Sequence, residues 1–241
     1  MLEQSIYNKD MEFVGLTKLS LVDFDRHIAC TLFTEGCNFC CPFCHNSPLV
    51  KNPHNQIIPF EEILKFLKKR IGILDAVVIT GGEPTLMKDL KDKIKQIKDL
   101  GYLVKLDTNG TNPDVVKDLV KENLIDYIAM DIKASFATYP KITNSRVDIN
   151  KIKESIDFIM HSGVDYEFRT TLVKEFHTKE DITQMAKEID GAKKMRLQLF
   201  IDNENCIVRG LHEVETKEAN EFLEILKNHV SDVALRGYKL V

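Results

Sequence analysis

The chain has 241 residues, 44% of them hydrophobic, enough apolar material for one large domain or two small ones. Its 33 basic and 37 acidic residues leave a formal charge of -4 with no block of like charge, which sets nucleic acid aside as a bulk electrostatic partner. No apolar run approaches the ~20 residues of a membrane span, and Met1 to Phe13 is polar and acidic without a signal-peptide core, so a cytoplasmic protein with no membrane partner is expected.

A first strand is predicted over Ile28–Phe33, and the cysteines follow it. Four of the six, Cys37, Cys40, Cys41 and Cys44, crowd into eight residues. In a reducing compartment such crowding reads as metal or cluster binding rather than disulfides. Cys30 and Cys206 each sit in an apolar stretch and are expected to be buried small hydrophobes. Read as C-x3-C-x2-C, the residues Cys37, Cys41 and Cys44 supply three thiolates, which can hold three corners of a cubane iron–sulfur cluster and leave one iron open. Read as two abutting C-x2-C pairs, the same loop describes zinc knuckles. Zinc ribbons, however, keep their pairs ~15–20 residues apart so that the chain can fold back around one ion.

Helices and strands then alternate. Pro59 to Ile71 carries Glu61 and Glu62 in its first turn and Ile63, Leu64, Leu67 and Ile71 on one face, which predicts a helix. Ala76 to Thr80 is a buried strand stopped by Gly81-Gly82. A helix bearing Leu90, Ile94, Ile97 and Leu100 closes at Gly101, and a strand over Tyr102–Leu106 runs into Asp107-Thr108-Asn109-Gly110. Asn112-Pro113 reads as the cap of a third helix, Tyr127–Asp131 as a strand, and Ile149–His161 as a helix ended by Gly163. A strand over Asp165–Val173 precedes a Thr178/Asp181 capping box for a helix through Ile189. Met195–Ile201 is the sixth strand, and Thr216–Val230 the last helix.

Six strand–helix units with short connections predict parallel strands in an α/β fold, a partial (β/α)6 barrel rather than a doubly wound sheet. Polar and glycine signals recur at successive strand ends, where barrel active sites form. One domain over 1–241 is expected, with a core of about 26–201 and a C-terminal helix and tail over 216–241.

Those strand-end signals each have a plain reading as well. Gly81-Gly82 before Glu83 and Pro84 can be a simple turn, Asp107 to Gly110 an Asx turn, and Asp131-Ile132-Lys133 a surface ion pair. Arg169 can be an ordinary strand arginine or one that meets a carboxylate. His45, beside Cys44, is a candidate to support a cluster ligand. His27, His54, His161, His177, His212 and His229 are expected at the surface or in structural roles.

Gly36 to Asn46, GCNFCCPFCHN, resembles the cluster loop of the radical S-adenosylmethionine (SAM) superfamily, and within it the activating proteins of glycyl radical enzymes. Leu16 to Phe24 and Ile28-Ala-Cys-Thr resemble those of anaerobic ribonucleoside-triphosphate reductases. The resemblance runs through nearly the whole chain and is sharpest before Lys133. It implies a [4Fe–4S] cluster on Cys37, Cys41 and Cys44, with SAM at the open iron. It further implies cofactor contacts from Phe43, Gly81, Gly82, Glu83, Asp107, Asn109, Asp131, Lys133 and Arg169. Asp107, Thr108, Met130 and Asp131 resemble the residues that bind a monovalent cation, Na+ or K+, in pyruvate formate-lyase activating enzymes. Cys40 departs from the family pattern, which usually has a basic or polar residue there. The implied reaction is reductive cleavage of SAM to a 5′-deoxyadenosyl radical that takes hydrogen from a glycine of a partner enzyme. No side chain acts as the catalyst in it, and a flavodoxin or ferredoxin supplies electrons. Two readings compete: a radical SAM enzyme acting on a small molecule such as a pterin or deazapurine, and a zinc-binding interaction module.

Overall fold

The apolar runs that stop at glycine or at a polar pair become strands. The structure is a computed structural model that describes residues 11–51 and 56–239; His54, expected at the surface, and most of Met1 to Phe13 lie outside the described residues. The strands are β1 (Phe13–Ser20), β2 (Ala29–Thr34), β3 (Ala76–Gly81), β4 (Leu103–Thr108), β5 (Tyr127–Asp131), β6 (Asp165–Leu172), β7 (Lys194–Leu199) and β8 (Asp232–Arg236). They stand in one sheet in chain order. The helices are α1 (Ser47–Lys51), α2 (Phe60–Lys68), α3 (Leu90–Asp99), α4 (Pro113–Lys121), α5 (Tyr139–Thr143), α6 (Ile149–His161), α7 (Lys179–Glu188) and α8 (Thr216–Lys227). The six strands read from the sequence are β2 to β7, and the α/β fold class holds. β1 and β8 are additional. Among the described residues, no helix is long and apolar enough to cross a membrane.

The chain divides into two compact units: Met1–Asn38, Pro48–Thr108 and Asn112–Ile128 in the first, and Phe39–Ser47, Asn109–Thr111 and Ala129–Val241 in the second. In the first, β1 pairs antiparallel with β2, while β2–β3 and β3–β4 are parallel, with Cys30 opposite Val77 and Val77 opposite Val104. One face of these strands carries Cys30, Leu32, Val77, Ile79, Val104 and Leu106, all fully buried. The apolar stripes of α2 (Ile63, Leu67) and α3 (Ile94, Ile97) are buried with them. On the other face Phe24 packs with Ala29, Ala76 and Val78, against Leu103 and Tyr127.

In the second unit β6–β7 and β7–β8 are parallel, with Phe168 opposite Met195 and Met195 opposite Val233. Tyr166, Phe168, Leu172, Met195 and Leu197 fill one face, as the two-residue period requires. Ile152 and Ile159 of α6, with Ile182 and Met185 of α7, are buried too. The opposite face carries polar groups, among them Glu167, Arg169, Arg196, Gln198 and Arg236.

Two caps differ in detail from the sequence reading. Asn112 makes no cap hydrogen bond; its Nδ2 donates to Thr85 Oγ1 at 3.0 Å instead, and Pro113 opens α4 unaided. Thr178 does cap α7, accepting from Asp181 N at 3.2 Å. The Asp181 carboxylate does not return the bond: its Oδ1 accepts from Ser135 N at 3.3 Å and Ser135 Oγ at 2.6 Å. Cys30 and Cys206 are buried, as expected.

Candidate functional site

In the first unit, the end of β3 closes tightly on the segment that leads into the cysteines. Gly81 has φ of 124°, and a Cβ there would meet the Thr34 backbone at 2.3 and 2.4 Å. A Cβ on Gly82 would stand 1.7 Å from Gly36 O. Gly82 N donates to Thr34 O (2.9 Å) and Glu83 N to Gly36 O (2.8 Å). The two glycines are therefore more than a turn. They let one backbone lie against another directly before Cys37, which is half-buried. Glu83 is buried, and its Oε1 accepts from Thr85 N at 3.1 Å and from Thr108 Oγ1 at 2.7 Å, which fixes the carboxylate between β3 and β4. Asp107 Oδ1 lies 3.5 Å from Lys105 Nζ.

In the second unit the remaining cysteines form a short turn, with Cys44 N donating to Cys41 O at 3.0 Å. Cys40 is tied by its backbone to α5, N to Thr143 O at 3.0 Å. Cys41 is buried and Cys44 half-buried. Burial pushes the Cys41 thiol up to about 12 against the opposing charge of Lys133, and burial raises Cys44 as well. Phe43, buried, meets Phe176 at 5.9 Å and stands edge-on to His177 at 6.4 Å. His45 is exposed; its Nε2 lies 2.8 Å from Ile201 O and its ring stacks on Phe200 at 5.5 Å. Val208 N donates to Pro42 O at 2.8 Å, so the segment after β7 is laced to this turn.

Asp131 ends β5 between two cations. Its Oδ1 accepts from Arg169 Nε at 2.9 Å and its Oδ2 from Lys133 Nζ at 2.9 Å. Burial would raise the carboxyl, but Arg169 and then Lys133 outweigh it and hold it at about 2. Burial likewise works against the Lys133 charge, and Asp131 followed by Cys41 raises it overall. The Tyr139 hydroxyl donates to Asp131 O at 3.3 Å. His177 Nε2 lies 3.0 Å from Lys133 O, and Val173 N donates to Nδ1 at 3.0 Å. Asn109 makes the Asx turn, its Oδ1 accepting from Thr111 N at 3.0 Å. Gly110 has a φ of +77°, which favours glycine, and the buried Met130 packs over it, with its Cε 2.0 Å from where a Cβ would stand.

The sequence reading paired Asp131 with Lys133 and named Arg169 separately, and the structure joins all three as one ion-paired group. His177 and Tyr139, which brace that group and Phe43, carried no sequence signal, because a lone histidine or tyrosine looks the same in any core. Cys37, Cys41 and Cys44 fit an iron–sulfur cluster by donor chemistry, since thiolate is its ligand and Lys133 lends positive charge toward Cys41 and Cys44. No disulfide links cysteines among the described residues. Among the described residues no three His, Cys, Asp or Glu side chains gather as a single metal ion requires; a cluster takes one thiolate per iron and needs no such common point.

The Radical SAM superfamily model matches residues 31–189. The chain is 35% identical over 229 residues to "Putative glycyl-radical enzyme activating enzyme MJ1227" of Methanocaldococcus jannaschii, covering 92% of this chain and 94% of that protein. It is 26% identical over 192 residues to GTP 3′,8-cyclase of Nautilia profundicola, covering 76% of this chain and 59% of the cyclase. Among solved structures, SuiB of Streptococcus suis bound to S-adenosylmethionine matches with a TM-score of 0.67 at 14% identity, over 84% of this chain and 48% of SuiB. A domain of pyruvate-formate lyase-activating enzyme from Bacteroides vulgatus matches with a TM-score of 0.54 at 17% identity, over 67% of this chain and 99% of that domain. At these identities the structures bear on the fold alone, and they agree with a radical SAM partial barrel.

Proposed function

Because the chain belongs to the radical SAM superfamily, we propose that it is an activating enzyme for a glycyl radical enzyme, an anaerobic ribonucleoside-triphosphate reductase. The observation that carries this reading is the 35% identity to the M. jannaschii protein across almost the full length of both chains. The shorter coverage of the GTP cyclase supports the small-molecule alternative less well.

When bound, a [4Fe–4S] cluster and SAM supply the hard chemistry, reductive cleavage to methionine and a 5′-deoxyadenosyl radical. The chain's own residues hold and orient. Cys37, Cys41 and Cys44 would be the thiolate ligands, and His45 follows Cys44 in the chain. Gly81 and Gly82 bring peptide groups close to the ligand, and Glu83, held by Thr85 and Thr108, receives an ammonium group. Phe43 offers an aromatic face, and Asp107, Asn109, Asp131, Lys133 and Arg169 supply polar contacts. A Na+ or K+ ion at Asp107, Thr108, Met130 and Asp131 belongs to the same reading. It asks Asp131 to share a carboxylate that Arg169 and Lys133 already engage. A flavodoxin or ferredoxin donor and a cytoplasmic location complete it.

The test is anaerobic incubation of the reconstituted protein with SAM, a reductant and candidate partners, followed by electron paramagnetic resonance. A glycyl doublet on the partner is expected. Turnover of a small molecule with no doublet on any partner would overturn the activase.

A further inference from the structure

Asn112 stands where a helix cap is expected and does not cap. Its side chain leaves the first turn of α4 and reaches Thr85, in the short turn Pro84–Leu86 that follows Glu83. Chemistry fixes which way the amide points. Nδ2 lies 3.4 Å from Thr85 O as well as 3.0 Å from Thr85 Oγ1, and a backbone carbonyl can only accept, so this atom is the donor nitrogen. Having accepted from Asn112, the Thr85 hydroxyl has one proton to give, and it gives it to Glu83 Oε1. The same oxygen accepts from Thr85 N at 3.1 Å and from Thr108 Oγ1 at 2.7 Å. Glu83, Thr85 and Thr108 are all buried. The hydrogen bonds therefore run one way, from Asn112 through Thr85 to the carboxylate, and three donors on one oxygen keep it from turning. Capping the turn needs only the Thr85 N–H. The two hydroxyl donors add a fixed orientation, which is what a carboxylate that meets a cationic ligand requires.

We propose that Asn112 and Thr85 are positioning residues for the cofactor, a directed relay that presents the Glu83 carboxylate to the ammonium group of SAM. The inference rests on the reading of Glu83 as the ammonium acceptor and extends it to Asn112, 27 positions beyond Thr85. Asn112→Asp separates direction from shape. A carboxylate of nearly the same outline accepts instead of donating, draws the Thr85 proton to itself and takes a donor from Glu83. Before a helix Asp ranks with Asn, so the start of α4 is not weakened.

The experiment uses the full chain reconstituted anaerobically with iron and sulfide. Dissociation constants are measured by equilibrium dialysis for SAM and for 5′-methylthioadenosine, which carries the same adenosine and sulfur without the amino acid. Asn112→Asp and Thr85→Val are each expected to weaken SAM about tenfold, and Asn112→Ala only about threefold, since there the hydroxyl keeps its proton on Glu83. Binding of 5′-methylthioadenosine should change by less than about twofold in all three, and Thr85→Ser, which keeps the hydroxyl, should hold SAM within about twofold of the parent. A purely steric role for Asn112 predicts the opposite order, with Asn112→Asp milder than Asn112→Ala. Glu83→Gln tests the underlying reading: it should weaken SAM and spare 5′-methylthioadenosine. If it spares both, Glu83 does not meet the ammonium group, and the inference falls with that reading. If Glu83→Gln behaves as expected, the relay alone is overturned by any of three results: Asn112→Asp no weaker than Asn112→Ala, both ligands weakened equally, or Thr85→Ser as weak as Thr85→Val.

Discussion

The imidazole Nε2 of His177 lies 3.0 Å from the backbone oxygen of Lys133, while the same ring stands edge-on to Phe43. One buried side chain thus braces both the aromatic of the cysteine turn and the lysine beyond β5. His177→Ala would strand the Val173 N–H and the Lys133 carbonyl and open a cavity, costing about 2–4 kcal/mol by urea denaturation. Burial holds the His177 pKa below its ordinary value. The unfolded chain therefore takes up a proton near pH ~6.5 that the folded chain refuses, and stability falls as pH drops through that value. In His177→Gln that component is absent, so the stability gap to the parent should narrow between pH 7.5 and 5.5. A gap that stays constant would show that His177 plays no part in acid sensitivity.

Gly82→Ala should be among the most damaging substitutions in the first unit. The new Cβ would stand 1.7 Å from Gly36 O, and the obstacle is backbone rather than a flexible side chain. Either β3 or the segment before Cys37 must move, which would disrupt the bonds Gly82 N to Thr34 O and Glu83 N to Gly36 O. A loss of roughly 2–4 kcal/mol is expected. Iron retention after anaerobic reconstitution should fall with it, and a variant with normal iron and stability would refute the close approach.

The central strands were legible because each is an apolar run cut off by glycine or a polar pair, as Ala76 to Gly81 is. β1 was not, since Gly15, Thr17 and Lys18 dilute its pattern and Thr17 to Leu19 are exposed. β8, Asp232 to Arg236, offers only Val233-Ala234-Leu235 between two charged residues and has no fully buried position, so no apolar run marked it. The same limit applied to the site. Cysteine spacing and the Gly-Gly-Glu run are local and could be read directly. The bond from Asn112 to Thr85 joins residues 27 positions apart, and nothing in either segment announces it.

Asp131→Asn leaves Arg169 and Lys133 without their shared carboxylate. Breaking a buried pair costs several kcal/mol, but the Asp131 side chain is 30% exposed, so about 1–3 kcal/mol is the fair expectation at pH 7. The carboxyl is held at about 2 in the folded protein against ~3.9 when unfolded. Its contribution is therefore present above pH ~4 and lost as pH falls toward 2. Parent and variant stabilities should differ at pH 7 and converge near pH 2.5 in urea titrations. Parallel curves would mean the ion pairs contribute nothing.

The proposed cation site makes a separate prediction. Both oxygens of Asp131 already accept from cationic side chains, so an added ion would bind only by loosening one pair. SAM affinity should then rise with K+ or Na+ relative to tetramethylammonium at equal ionic strength, and the rise should vanish in Asp107→Asn. Equal affinity in all three salts would remove the cation from the site.

Cys40 and Cys41 are adjacent, and only one of them belongs to the cluster in the parsing through Cys37, Cys41 and Cys44. Cys40 is fixed by its backbone to Thr143 O, a bond that does not depend on its side chain. Cys41 is buried with the Lys133 charge acting on it, a setting that favours thiolate once iron offsets desolvation. Cys40→Ala should therefore keep about four irons per reconstituted chain and the brown absorption of a [4Fe–4S] centre. Cys41→Ala should retain few irons and lose SAM cleavage, as should Cys37→Ala and Cys44→Ala. If Cys40→Ala were colourless and Cys41→Ala brown, the ligands would follow C-x2-C spacing. The open-iron geometry on which SAM binding depends would then have to be rebuilt around Cys37, Cys40 and Cys44.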